Sequence, residues 1–198
     1  MKIIKLLLIL LVSFSFIFAQ GMTGKGIKVG ANLANISGDD VEAEDTSMKY
    51  GALIGGYATF KISDALSLQA EVMYSQKGYK LDMDILGFSL KTTASVNYLD
   101  INPLALYSVS DQIYILAGPT LGVFLSGTIK MDIDGEEEEE DIESDDMNGM
   151  DFGVIIGGGY SLGTFNIEAR YSLGLKNAYD EDFDATNTAI QILIAYPF

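Results

Sequence analysis

The sequence predicts an all-β fold in which eight antiparallel strands close into an up-and-down transmembrane β-barrel. Three observations lead to this prediction: an alternating apolar C-terminal segment, an N-terminal export signal, and a series of alternating segments joined by short and long connections in turn. A barrel of this kind alternates lipid-facing apolar side chains with side chains that point into a polar interior.

The C-terminal segment, residues 188–198, has the pattern of a strand that faces lipid. Every second residue is large and apolar, and this set is Ile190, Ile192, Ile194, Tyr196 and Phe198. A period of two is typical of a β-strand, and we expect this one to close the barrel by pairing with the first. Tyr196 and Phe198 are predicted to lie in the interfacial aromatic girdle and to form the terminal signal for outer-membrane assembly. Outer-membrane lipid and the assembly machinery are therefore the predicted partners.

The N-terminus carries the features of a secretory signal peptide. Lys2 and Lys5 make a basic start, an apolar run extends from Leu6 to Phe18, and Ala19 ends a small-residue cleavage site. The run is shorter than the roughly 20 apolar residues that a membrane-spanning helix requires. We therefore predict a signal peptide at 1–19, removed on export, and a single barrel domain at 20–198.

Eight segments alternate between apolar and polar residues, and they cover residues 26–36, 48–62, 66–79, 91–109, 112–130, 150–162, 165–176 and 188–198. Short turns are predicted near Ser63, Ser110 and Leu162, and long loops at 37–47, 80–90, 131–149 and 177–187. A slip of parity at Tyr98–Leu99 predicts a β-bulge. Bacterial outer-membrane barrels have short periplasmic turns and long extracellular loops. We therefore expect extracellular long loops, two periplasmic termini and a monomer.

The composition excludes several classes of function. The chain contains no cysteine and no histidine, and its formal net charge is −16. It therefore supplies no disulfide framework, no Cys nucleophile, no Ser-His-Asp triad and no imidazole zinc site. A chain this acidic also repels nucleic acid. We predict a protein that is not an enzyme and that binds no nucleic acid.

In the third and seventh predicted strands, the alternate polar positions include charged residues that would point into the barrel. They are Glu71, Lys77, Glu168, Arg170 and Lys176. The interior of an eight-stranded barrel is just wide enough for side chains to fill it, so these charges must neutralise one another. The pattern predicts a lumen plugged by a charge network, with a narrow pore lined by the same groups as the alternative.

The long acidic connection at 131–149 is a second candidate site. Asp132, Asp134, Glu136 and Glu143 fall at positions 1, 3, 5 and 12 of an EF-hand-like loop, but Glu137 stands where the motif requires glycine. The match is weak, although divalent cations would relieve repulsion among so many carboxylates. The sequence leaves open a solvated loop, loose calcium binding or a protein contact, and it predicts no other cofactor.

Several stretches resemble the PorT-like outer-membrane β-barrel family. The most characteristic is the run from Leu66 to Lys80, and the others cover residues 26–32, 98–104, 118–119 and 170–177. The resemblance implies the barrel fold and an outer-membrane location, and no activity. Asn102 and the acidic loop depart from the family pattern. We predict a structural or surface-interaction role, and the alternative is a soluble lipocalin-like barrel that buries its apolar parity around a small apolar ligand.

Overall fold

The structure, a computed structural model, describes residues 21–38, 46–85, 88–133, 136–143, 147, 149–177 and 185–198. Nine strands of the described residues form one sheet, and their bounds are β1 Met22–Ser37, β2 Thr46–Lys61, β3 Leu66–Ile85, β4 Phe88–Ser108, β5 Ile113–Ile133, β6 Glu136–Ile142, β7 Met150–Ser161, β8 Asn166–Gly174 and β9 Thr186–Pro197. The described residues include no helix long and apolar enough to cross a membrane.

Eight of these strands close into a ring. Each pairs antiparallel with its neighbour in the order β1, β2, β3, β4, β5, β7, β8, β9, and β9 pairs back with β1. The remaining strand, β6, pairs with the far end of β5 and lies outside the ring order. The prediction of an all-β, antiparallel up-and-down barrel is confirmed.

Apolar side chains cover the outside of the ring. Ile192 and Ile194 on β9 are 45% and 49% exposed, whereas Leu193 between them is 1% exposed. On β1, Ile27 is exposed and its neighbour Lys28 is fully buried. A soluble lipocalin-like barrel requires the opposite arrangement, with its apolar parity inside, so that alternative is wrong.

Three tight turns join strands at the end of the barrel where the C-terminus lies. They cover residues 62–65, 109–112 and 162–165. In the last of them the backbone N–H of Leu162 donates to the carbonyl oxygen of Phe165 at 2.9 Å. These are the positions where short connections were predicted.

The connections at the other end contain more strand than the sequence predicted. The segment 80–90, predicted as a loop, continues β3 to Ile85 and begins β4 at Phe88, and the pairing runs without a shift from Leu66–Tyr107 to Ile85–Phe88. The sequence of this segment alternates only weakly between apolar and polar residues. Backbone pairing maintains the strands without the period-two signal.

The acidic connection also differs from the predicted loop. β5 extends to Ile133, and the run from Glu136 to Ile142 returns as β6, with Gly127 opposite Ile142 and Lys130 opposite Glu139. Lys130 Nζ lies 2.9 Å from Glu139 Oε2, and this hydrogen bond and charge raise the pKa of Lys130. Pairing with β5 satisfies backbone groups along one edge of β6, which offsets the repulsion among its carboxylates.

The register of β4 and β5 shifts at the predicted bulge. Asn97 lies opposite Ser126, whereas Tyr98 lies opposite Phe124, so the extra residue is Leu125 on β5 rather than a residue of β4. The bulge was predicted in β4, but β4 keeps its in–out alternation through Tyr98 and Asp100, and the inserted residue belongs to its partner. The bulge preserves the inward direction of Tyr98 while changing which β5 residues face inward beyond it.

Apolar side chains are also buried inside the ring. They form three clusters, composed of Leu104, Leu116 and Ile155; Leu53, Met73 and Leu193; and Val96, Tyr98 and Met147. The first lies toward the tight turns, and the last lies at the opposite mouth of the barrel.

Closure between β1 and β9 can be tested with paired cysteines, because the chain contains none of its own. Ala34 lies directly opposite Ala189, so we expect the Ala34→Cys/Ala189→Cys variant to form a disulfide in most molecules. Opposite residues have Cβ atoms about 4.5–5.5 Å apart, which is close to disulfide geometry. The measurement is gel mobility with and without reductant.

The matched control is Ala34→Cys/Ala195→Cys, because Ala195 lies opposite Lys28, six residues along β1. It should remain uncross-linked. Cross-linking of the control, or none in the first variant, would contradict the β1–β9 register.

Candidate functional site

Four charged side chains meet inside the barrel: Lys28, Glu71, Glu168 and Arg170, which together are called the four-charge cluster. Lys28 Nζ lies 2.6 Å from Glu71 Oε1 and 2.8 Å from Glu168 Oε1. Arg170 donates from Nη1 and Nη2 to the two carboxylate oxygens of Glu71 at 2.8 and 2.7 Å, and it also contacts Glu168 through Nε and Nη2. The side chains are 0–1% exposed. Two positive and two negative charges therefore neutralise one another away from solvent.

The cluster spans the lumen because its members come from well-separated strands. Lys28 is on β1, Glu71 on β3, and Glu168 and Arg170 on β8. β2, β1 and β9 separate β3 from β8 in the ring, so the bidentate Arg170–Glu71 pair joins distant walls. Two parallel N–H···O bonds fix the orientation of both side chains as well as their separation.

Tyr114 adds a hydrogen bond to the cluster from a third wall. Its hydroxyl donates to Glu168 Oε1 at 2.6 Å. Tyr114 on β5 lies opposite Gly159 on β7, which in turn lies opposite Glu168 on β8. A Cβ at Gly159 would overlap the Tyr114 ring, so this glycine leaves the space through which the ring crosses β7.

Neutral polar side chains satisfy the remaining atoms of the cluster. Lys28 donates to Gln69 Oε1 at 2.7 Å, and Asn102 donates to Glu71 Oε2 at 3.4 Å. Asn102 in turn accepts from the Thr120 hydroxyl at 2.7 Å. Asn102 is therefore part of the polar interior.

Lys77 lies in a second group, the Lys77 cluster, formed with Asp100, Asp151 and Asn187. Its Nζ is 3.2 Å from Asp100 Oδ1 and 2.9 Å from Asp151 Oδ2, and Asn187 Nδ2 donates to Asp151 Oδ2 at 3.1 Å. Lys77 Nζ also lies 4.9 Å from the centroid of the Tyr98 ring. Two carboxylates share one ammonium here.

Asn32 connects the walls near these two clusters. Its Nδ2 donates to Ser75 Oγ at 3.0 Å, and its Oδ1 accepts from Gln191 Nε2 at 3.0 Å. β3, β1 and β9 are thus joined by neutral side chains, and β1 and β3 are also joined by the Lys28–Glu71 ion pair.

Of the five predicted lumen residues, the structure brings Glu71, Glu168 and Arg170 into one cluster and places Lys77 in another. Lys176 belongs to neither, and its prediction is corrected. β8 ends at Gly174, two residues earlier than the strand pattern requires for Lys176, and the side chain is exposed. Lys28 was missed, although its position between outward-facing Ile27 and Val29 indicates that it points inward.

The described residues among the predicted calcium ligands, Asp132, Glu136 and Glu143, are not grouped as an EF-hand-like site. Asp132 lies opposite Glu137, and Ile133 lies opposite Glu136, so Asp132 and Glu136 are on different faces of the β5–β6 hairpin. Asp134 lies outside the described residues. Across the described part of the chain, no group of three or more acidic side chains is placed to hold a metal ion. The EF-hand spacing requires a loop that wraps around the ion, and here it is occupied by a hairpin.

The C-terminal aromatic residues are on the outer surface of the closing strand. Tyr196 is 50% exposed and Phe198 is 67% exposed. The backbone N–H of Phe198 donates to the carbonyl oxygen of Lys25 at 3.0 Å, and Lys25 Nζ lies 5.6 Å from the Phe198 ring centroid. Pairing with β1 therefore continues to the last residue.

The sequence matches the profile of a family described as "Outer membrane protein beta-barrel domain" over residues 18–180. No curated protein sequence matches significantly. Among solved structures, Neisserial surface protein A is similar at 14% identity and a TM-score of 0.53, covering 90% of this chain and 99% of that one. Ail, the attachment invasion locus protein of Yersinia pestis, is similar at 11% identity and a TM-score of 0.49, covering 88% and 98%. At such identity the similarity to Neisserial surface protein A concerns the fold alone.

Removal of one charge from the four-charge cluster is expected to destabilise the barrel strongly. Arg170→Met leaves one uncompensated negative charge in the lumen, and we expect a loss of about 3–5 kcal/mol in the free energy of unfolding. Arg170→Met/Glu168→Gln restores neutrality with Lys28 and Glu71, so its loss should be smaller than that of Arg170→Met. Urea unfolding in phospholipid vesicles measures both.

Lys61→Gln is the matched surface control, because Lys61 pairs with Asp64 at 2.8 Å in an exposed turn. It should leave the unfolding midpoint unchanged. Equal stability of Arg170→Met and the original protein would show that the buried pairs do not carry the expected energy.

Proposed function

Because the chain belongs to the family of outer membrane protein beta-barrel domains, we propose that it is a small outer-membrane barrel with a plugged lumen and a surface-interaction role. The plug is the four-charge cluster together with the apolar clusters on either side of it. The interaction surface is formed by the strands that extend past the barrel, β3 with β4 and β5 with β6. This proposal joins a structural role inside the membrane to a binding role outside it.

The bidentate pair between Arg170 and Glu71 is the main observation that supports a plugged lumen. A conducting pore lined by charges keeps them hydrated, whereas these side chains are 1% and 0% exposed. Their charges are balanced by Lys28 and Glu168 within direct contact. An ion that entered would have to displace paired groups in a space with little solvent.

The surface role is supported by the difference between the two ends of the barrel. One end has tight turns, and the other has hairpins that continue the sheet, including the strongly acidic β6. Bacterial outer-membrane barrels place their short turns in the periplasm and their longer connections outside the cell. The proposed orientation therefore puts β6 on the cell surface and both termini in the periplasm.

Further parts of the proposal rest on the sequence. A signal peptide at 1–19 would direct export, and the outward Tyr196 and Phe198 would be read by the assembly machinery and contact lipid. The segment Leu66–Lys80 supports placement among PorT-like barrels. The lack of histidine and cysteine supports a non-enzymatic role, and the closed ring supports a monomer.

The plug predicts that the protein does not conduct ions. Reconstituted in a planar bilayer, the folded protein should show no steady channel events, because side chains fill the lumen. Heat-dependent gel mobility of the same sample verifies that the barrel is folded. Steady single-channel steps from folded protein would instead support the narrow pore.

The orientation predicts which residues are accessible on intact cells. Glu137→Cys in β6 and Asp111→Cys in a tight turn replace exposed acidic residues in a chain without native cysteine. A membrane-impermeant maleimide should label Glu137→Cys on intact cells, whereas Asp111→Cys should be labelled only after the outer membrane is permeabilised. The reverse pattern would contradict the proposed orientation.

A further inference from the structure

A cavity of about 400 Å³ opens at the mouth of the barrel between the β5–β6 hairpin and the barrel wall. Its apolar lining is composed of Tyr79, Ala94, Ile129, Ile142 and Met147. Met147 and Ile142 also pack on the buried cluster of Val96 and Tyr98, so the base of the cavity is held by the barrel interior. The cavity is therefore a recess with an apolar base and an acidic side, large enough for one bulky side chain.

The inner face of β6 continues from this recess as a row of carboxylates. Ile129, which lines the cavity, lies opposite Glu140, and Met131, two residues farther along β5, lies opposite Glu138. Opposite residues share a face of a sheet, so Glu140 and Glu138 follow Ile142 along the inner face. Successive residues on one face of a strand are about 7 Å apart.

We propose that this recess and the Glu138–Glu140 row bind a cationic peptide in an extended conformation, with an apolar anchor residue in the cavity. An extended peptide presents every second side chain at about the same 7 Å spacing. An anchor followed by lysine or arginine at alternate positions would therefore match an apolar recess followed by alternate glutamates. This inference rests on the proposed function, since it names the class of partner for the proposed surface.

The charge and shape of the site favour this partner over other ligands. An anionic ligand would meet Glu140, Asp141 and Glu143, which form the acidic side of the cavity. A metal ion has no converging set of three carboxylates among the described residues. A neutral apolar molecule would fill the recess without using the glutamates beside it.

The probe is the peptide acetyl-Trp-Ser-Lys-Ser-Lys-amide, added to the whole folded protein in nanodiscs of zwitterionic phosphatidylcholine. The chain contains no tryptophan, so in nanodiscs with a tryptophan-free scaffold selective excitation reports on the peptide alone, and its anisotropy should rise on binding. Binding should weaken as salt is added, because exposed ion pairs are screened. The acidic counterpart, acetyl-Trp-Ser-Glu-Ser-Glu-amide, should not bind.

Two double variants distinguish binding to the inner-face carboxylates from nonspecific attraction to an acidic strand. Glu138→Gln/Glu140→Gln removes two inner carboxylates, and we expect about fivefold weaker binding, as two exposed ion pairs would supply. Glu137→Gln/Glu139→Gln makes the same charge change on the outer face of the same strand, and its affinity should stay within about twofold. Equal weakening by both variants would overturn the proposal in favour of nonspecific attraction.

The anchor is tested on the unmodified protein, which avoids any folding defect of a variant. A labelled peptide with glycine in place of tryptophan should bind much more weakly, because the recess then remains unfilled. Equal binding of the glycine peptide, binding of the acidic peptide, or no binding of the tryptophan peptide would each overturn the inference. Peptide binding in nanodiscs does not depend on how the protein is oriented in the cell. A negative result in the maleimide experiment would therefore contradict the proposed orientation without contradicting peptide binding.

Discussion

The structure depends on one constraint: side chains that face lipid must be apolar, so the charged residues of the spanning strands are directed into a narrow lumen. There they pair with one another and with neutral polar side chains such as Gln69 and Tyr114. Lys28, Glu71, Glu168 and Arg170 meet this requirement with two charges of each sign and direct contacts across the ring. The same constraint sets the register, because a slip of one residue would turn Lys28 to lipid and Ile27 into the lumen. Lipid outside and charge pairing inside thus specify the same arrangement of strands.

This constraint also determines how much of the fold could be predicted. Within the membrane, lipid outside and the polar lumen inside impose a period of two on each strand. The sequence therefore predicted β9 from the alternate apolar residues Ile192 and Ile194, and β8 from the alternate charged residues Glu168 and Arg170. Beyond the membrane neither face of a strand has to be uniformly apolar, and the alternation that marks a strand disappears. The continuation of β3 and β4 and the whole of β6 were consequently predicted as loops, although their backbones pair in regular ladders.

The sequence predicted which charged side chains point into the lumen, but it did not predict which of them contact one another. Parity shows that Glu71 and Arg170 point inward, but it does not show which inward side chains reach one another across the ring. Lys77 contacts Asp100 and Asp151 rather than joining Glu71 in the four-charge cluster. It lies on β3 six residues after Glu71, which is three inward-facing positions farther along the strand. Strand length matters as well, since Lys176 fails to point inward only because β8 ends before it.

The β5–β6 hairpin shows what the barrel permits once the membrane constraint ends. A strand of five consecutive glutamates and an aspartate gains little from its own side chains, and its described partner is β5 along one edge. Its base is nevertheless held, because Ile142 packs on the cluster that closes the mouth of the barrel. Packing at one end of β6 and pairing with β5 along one edge thus offset the repulsion among its carboxylates. A rigid barrel can therefore present a dense negative surface that an isolated acidic segment could not keep in one conformation.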